Sequence, residues 1–123
     1  MKKILVIEDN VIVRNTMTRI LQTAGYSVVT ADDGVQGVDT FRREQPDVVI
    51  SDIIMPQQDG IGTIRQILAE RPGTKIIAIS GGGRIGNTDF LQIARKMGAV
   101  DALQKPFDPD DLVGRISNCL EAA

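Results

Sequence analysis

Five short runs of β-branched and aliphatic residues, at 3–7, 26–31, 47–51, 75–80 and 99–103, alternate with five segments of helical period. Runs such as VVI and IIAI are apolar throughout rather than every second residue, which suits a parallel sheet covered on both faces. Crossovers of this length are right-handed. The expected class is therefore α/β, built from five βα units. In the first helix Val13, Met17, Ile20, Leu21 and Ala24 fall on one face, with Gly25 closing it. The second places Val35, Val38 and Phe41 on one side, weakened by Gly34 and Gly37 and ended by Pro46. The third carries Ile61, Ile64, Ile67 and Leu68 and stops at Pro72-Gly73; the fourth carries Phe90, Ala94 and Met97 before Gly98. The fifth carries Leu112, Ile116 and Leu120 behind Asp108-Pro109-Asp110-Asp111, an N-cap acid, a first-position proline and two acids at the positive end of the helix dipole.

A chain of 123 residues fits one domain, and no change of composition marks a linker. Fourteen basic and 16 acidic residues leave a net charge of −2, so no global field draws it to nucleic acid or to an anionic membrane. The opening MKKILVIEDN has an apolar run of only four residues, too short for a signal peptide or a membrane span, and a cytoplasmic protein is expected. The single Cys119 cannot form an internal disulfide, and its place in an apolar stripe predicts a buried thiol.

In a sheet of this kind ligands bind beyond the carboxyl ends of the strands. There the sequence concentrates its chemistry: Glu8-Asp9 after the first strand, Asp52 after the third, Ser80 at the end of the fourth and Lys105 after the fifth. Singly each has a plain explanation. Acids after a strand cap the next helix, with Asn10 a further cap candidate, and Asp52 stands beside the turn signals Met55-Pro56 and Asp59-Gly60. An isolated Lys105 would be a solvated surface lysine. Together, three acids and one lysine at one rim read as a metal-dependent phosphoryl acceptor, with the lysine as counter-charge.

Glu8-Asp9, Asp52 within SDIIMPQQDG, Ser80 and Lys105-Pro106-Phe107 resemble, in that order and over the whole chain, the receiver domain of bacterial response regulators. The resemblance implies a flavodoxin-like doubly wound five-stranded parallel sheet, order 2-1-3-4-5, with five helices. It implies a single receiver domain over 1–123 without an effector domain, stand-alone and chemotaxis-regulator-like. Asp52 would be the phosphoacceptor, a carboxylate nucleophile that becomes an aspartyl phosphate. Mg²⁺ would be held directly by Asp9 and Asp52, through water by Glu8, and by the backbone carbonyl of Ile54. Lys105 would pair with Asp52 and then with a phosphoryl oxygen, and the Ser80 hydroxyl would serve another. The chain would not be an enzyme beyond its own phosphorylation and slow dephosphorylation. Containing no histidine, it would take its phosphoryl group in trans, from a histidine kinase, a histidine phosphotransfer protein or acetyl phosphate. Its output would be a protein target met through the face of helix four, strand five and helix five, without nucleic acid or membrane. A constitutive interaction module and a phosphate sink are the alternatives.

Several positions qualify the resemblance. The aromatic expected three residues before the lysine is Ala102, so its rotamer switch is absent. Ser80 opens a run, Gly81-Gly82-Gly83-Arg84-Ile85-Gly86, that is either a flexible turn before the fourth helix or a means for Ser80 and its loop to shift without an aromatic. Asn87 or Thr88 would cap that helix, with Arg84 and Ile85 exposed. Ile54 and Gly82 occupy positions that tune hydrolysis in such domains. Pro106 is expected to follow a cis bond, against a trans proline that simply ends the strand. The glycines lack the Gly-Lys-Ser/Thr ending of a phosphate loop, no dinucleotide fingerprint follows the first strand, and Glu8 and Asp9 occupy the loop where a flavin phosphate would lie.

Overall fold

Two periodicities, two residues in the strands and 3.6 in the helices, sort the apolar side chains onto the two faces of one sheet. The structure is a computed structural model that describes residues 1–55, 58–80, 87–105 and 107–121, with the backbone course alone for those among 54–61 and for 87–91. The elements run β1 (Lys3–Ile7), α1 (Val11–Thr23), β2 (Ser27–Ala31), α2 (Gly34–Glu44), β3 (Val48–Asp52), β4 (Ile54–Met55), β5 (Gln58–Asp59), α3 (Gly60–Glu70), β6 (Lys75–Ser80), α4 (Asn87–Lys96), β7 (Asp101–Gln104) and α5 (Pro109–Glu121).

Five parallel strands form the large sheet in the order β2-β1-β3-β6-β7, which is 2-1-3-4-5 when its own strands are counted, as the resemblance implies. The short β4 and β5 pair antiparallel beside it. Leu5, Ile7, Val49, Ile76 and Ala78 point to the face covered by α2, α3 and α4, where Val38, Phe41, Ile64, Ile67 and Ala94 meet them. The alternate residues Ile4, Val6, Val48, Ile50, Ile77 and Ile79 meet Met17 and Leu21 of α1 and Leu112, Ile116 and Cys119 of α5. Double burial is why these strands are apolar throughout.

Helix ends follow local chemistry. Asn10 caps α1 by accepting from the backbone N–H of Ile12 and Val13 at 2.9 and 3.1 Å, so the cap is this residue and not the acids before it. Gly25, at φ 99°, then turns the chain out of the helix. Asp108 caps α5, accepting from the N–H of Asp110 at 2.9 Å.

Two side chains assigned to core faces point outward. Val35 is 67% exposed because the inward face of α2 is Gly34, Gly37, Val38 and Phe41, so the glycines belong to the packed surface. Ala24 lies beyond the last turn of α1 and is exposed. The last sheet strand begins at Asp101 rather than residue 99, because the Ala99 N–H still closes α4 by bonding to the carbonyl of Ala94 at 3.0 Å. Expectations for residues 81–86, for the caps before α4, for the side chain of Phe90 and for the bond to Pro106 lie outside the described residues. Among the described residues no helix is long and apolar enough to cross a membrane.

Candidate functional site

At the carboxyl edge of the sheet β1 and β3 end side by side and β7 ends beyond β6, and the residues at or just past these three ends converge. The Glu8 backbone is held at both ends. Its N–H donates to the carbonyl of Ala31 at 3.1 Å, and its carbonyl accepts from the Arg14 guanidinium at 3.0 Å. The Glu8 side chain turns into the protein and is fully buried, while Asp9 stays exposed. Asp52, the last residue of β3, is 2% exposed. Oxygens of Glu8, Asp9 and Asp52 all lie within 4.8 Å of one another.

Lys105 enters this cluster from just beyond β7. Its ammonium donates to Asp52 Oδ2 at 2.9 Å and stands 2.5 Å from Glu8 Oε1. That last contact is a close ion pair, and the ammonium is the polar group that meets the buried Glu8 Oε1 among the described residues. Glu8 Oε2 accepts from the Asn10 N–H at 3.2 Å. The Lys105 N–H donates to the carbonyl of Ser80 at 2.7 Å, so the lysine and the buried serine at the end of β6 are tied through backbone.

Burial dominates the electrostatics of Glu8. It pushes the carboxyl up to about 7, and the nearby Asp52 charge adds to this, against the lowering effect of Lys105 and of the Asn10 N–H. Burial acts on Lys105 in the opposite sense, but hydrogen bonds and charge from Glu8 and Asp52 outweigh it and hold its ammonium above its ordinary value. Three carboxyl groups, two of them buried, face one ammonium, and once Glu8 is ionised they leave an excess of negative charge. A further cation resolves that excess, and an all-oxygen donor set suits a hard divalent ion.

The structure thus brings together Glu8, Asp9, Asp52 and Lys105 as expected, with Ser80 on the adjoining strand end. Ile54 opens β4 two residues beyond Asp52. Ala102 is 3% exposed and belongs to the core face shared with α4. Sequence reasoning missed Arg14, because an arginine on the first turns of an amphipathic helix reads as a solvated residue; its side chain is only 16% exposed.

A doubly wound parallel sheet with an acid cluster and a lysine collected at its carboxyl edge, from three different strands, defines a receiver-type signalling domain. Residues 4–117 match the family described as the response regulator receiver domain, and the chain belongs to that family. It is 34% identical to the chemotaxis protein CheY of Listeria monocytogenes over 124 residues, covering 100% of this chain and 98% of that protein. It is 36% identical over 115 residues to the probable transcriptional regulator ycf27 of Guillardia theta, covering 94% of this chain but only 44% of that protein. The chain therefore spans less than half the length of that regulator and nearly all of the chemotaxis protein. Among solved structures, the chemotaxis protein CheY4 of Vibrio cholerae superposes with a TM-score of 0.87 at 29% identity, over 98% of this chain and 99% of that one. NtrX of Brucella abortus gives 0.90 at 30% identity, over 98% of this chain and 27% of that one. Membership of this family is consistent with two-component signalling and marks a signalling domain rather than a classical enzyme.

Proposed function

We propose that this chain is a phospho-accepting switch, acting in the cytoplasm, in which Asp52 receives a phosphoryl group and a protein-binding surface changes in response. The observation that carries this reading is the Asp52 carboxylate, 2% exposed, fixed by Lys105 at 2.9 Å with Glu8 and Asp9 oxygens within 4.8 Å. A carboxylate so held is presented as a nucleophile rather than spent on capping a helix.

An Asp52 oxygen attacks phosphorus, the P–N bond of a phosphohistidine partner breaks, and the departing imidazole takes up a proton from solvent. With no histidine among these residues the phosphoryl group arrives in trans, from a histidine kinase or histidine phosphotransfer protein, or from a small donor such as acetyl phosphate, whose P–O bond then breaks instead. Asp9, Asp52, Glu8 (through water) and the Ile54 carbonyl would hold Mg²⁺, which when bound would supply the charge neutralisation that lets one anion approach another. Lys105 exchanges its Asp52 oxygen for a phosphoryl oxygen, and the Ser80 hydroxyl donates to a second. Because Lys105 and Ser80 are joined through backbone, these moves reach β7 and the end of β6 together. The output surface is the face of α4, β7 and α5, which is altered through the backbone because Ala102 offers no ring to rotate.

Intact-mass spectrometry after incubation with acetyl phosphate, with and without Mg²⁺, tests the reading on wild type and Asp52→Asn. The expected result is a Mg²⁺-dependent gain of one phosphoryl group that the variant does not show. No gain under any condition, a kinase included, would replace the switch by a receiver fold that binds its partner constitutively.

A further inference from the structure

Arg14 lies one turn into α1, where its backbone N–H makes an early bond of the helix, to the carbonyl of Asn10 at 2.9 Å. Its guanidinium folds back to the sheet edge instead of extending into water. The same nitrogen, Nη1, donates to the Glu8 carbonyl at 3.0 Å and pairs with Asp32 Oδ1 at 3.0 Å. Arginine is seldom so covered without a task for its fork of donors. Asp32, 61% exposed at its side chain, belongs to the segment between β2 and α2, so the guanidinium spans two loops at the rim of the acid cluster.

The carbonyl it holds is part of the Glu8-Asp9 peptide. That unit is planar, so fixing the carbonyl direction also fixes the N–Cα bond that leads into Asp9 and with it the point from which the Asp9 side chain starts. With the Glu8 N–H tied to Ala31 at 3.1 Å, the peptides on both sides of Glu8 are anchored. The buried Glu8 and the exposed Asp9 then leave one anchored corner with carboxylate oxygens within 4.8 Å of each other and of Asp52.

We propose that Arg14, anchored by Asp32, is a positioning residue for the cation site: it sets the Glu8-Asp9 peptide so that both carboxylates meet the Asp52 carboxylate around one divalent ion. The proposal rests on the metal-assisted reading above. A residue acting on ligands from outside the ligand set is expected to change cation affinity by roughly tenfold or more. A guanidinium that merely ties α1 to the β2–α2 segment would change stability and leave affinity alone.

Isothermal titration of Mg²⁺ into wild type, Arg14→Gln, Arg14→Lys and Asp32→Asn, paired with urea denaturation in EDTA, separates the two. Arg14→Gln should raise the Mg²⁺ Kd about tenfold. Arg14→Lys should recover part of that loss, since one ammonium reaches fewer acceptors, and Asp32→Asn should show a smaller rise. An unchanged Kd in Arg14→Gln or, should that variant unfold, in Asp32→Asn, beside a lowered urea midpoint, overturns the proposal while leaving the metal site standing. Failure of wild type itself to bind Mg²⁺ overturns the metal reading first and the positioning role with it.

Discussion

Glu8 is the residue at which burial and charge conflict most openly. Its carboxyl is shifted from 4.5 to about 7 by desolvation, even with an ammonium 2.5 Å away. Between those two values the folded protein holds a proton that the unfolded chain has lost. The part of the stability that Glu8 contributes in metal-free buffer should therefore be full below about pH 4.5 and be lost as pH rises through about 7, by about 3 kcal/mol at most. The paired carboxyls of Glu44 and Glu70, held below their ordinary value by Lys3 and Arg42, act in the opposite sense at the acid end. Urea midpoints measured in EDTA across that range should show the slope, and Glu8→Gln should flatten it. A midpoint independent of pH in wild type would mean that Lys105 already compensates the buried charge. Excess Mg²⁺ should reverse the slope, because the ion needs the carboxylate deprotonated. The sequence made the acids and the lysine legible, since each follows an apolar run that had to be a strand. It could not make legible which of the paired acids turns inward. That depends on the corner held by Ala31 and Arg14, and neither contact leaves a pattern in the chain.

At the scale of elements, α2 shows how a weak helix on paper becomes a close-packed one. A β-carbon on Gly37 would stand 2.5 Å from Ile7 Cδ1 and 2.9 Å from its Cγ1, so the glycine lets α2 approach β1 directly below the acid cluster. Gly37→Ala gains about 1 kcal/mol of helix propensity, but overpacking a buried isoleucine costs typically 1–3 kcal/mol. The expected net effect in thermal or urea unfolding is a loss of up to about 2 kcal/mol. Gly37→Ala combined with Ile7→Val should recover part of it, and a stabilised single variant would show that Ile7 yields freely. Sequence reading treated Gly34 and Gly37 only as a penalty, and so put Val35 on the inward side. Helical period locates a face by its large residues, and here the face is partly made by having none. The strands were read to within one residue except β7, where helix closure by Ala99 took two residues that look like strand. The β4–β5 pair, two residues each, is too short to carry any period.

For the molecule as a whole, the site draws on every strand of the large sheet. Glu8 follows β1 and is tied to β2 through Ala31, Asp52 ends β3, Ser80 ends β6, and Lys105 follows β7 and is tied back to Ser80. These groups are separated by up to 97 positions in sequence, from Glu8 to Lys105, and come together only when the sheet is complete. A cation held by Glu8, Asp9 and Asp52 therefore has no counterpart site in the unfolded chain, and its binding is linked to global folding rather than to one loop. By mass action, free Mg²⁺ at ten times its Kd should add about 1.4 kcal/mol, and at a hundred times about 2.7 kcal/mol. In urea this should move the midpoint upward at constant m. Asp52→Asn, which removes one ligand charge and leaves the fold its hydrogen-bonding side chain, should show much less of the shift. A rise in m with Mg²⁺ would carry a different meaning: the ion would be ordering chain that is exposed without it, and the carboxyl edge of the sheet would be assembled by the metal rather than presented to it.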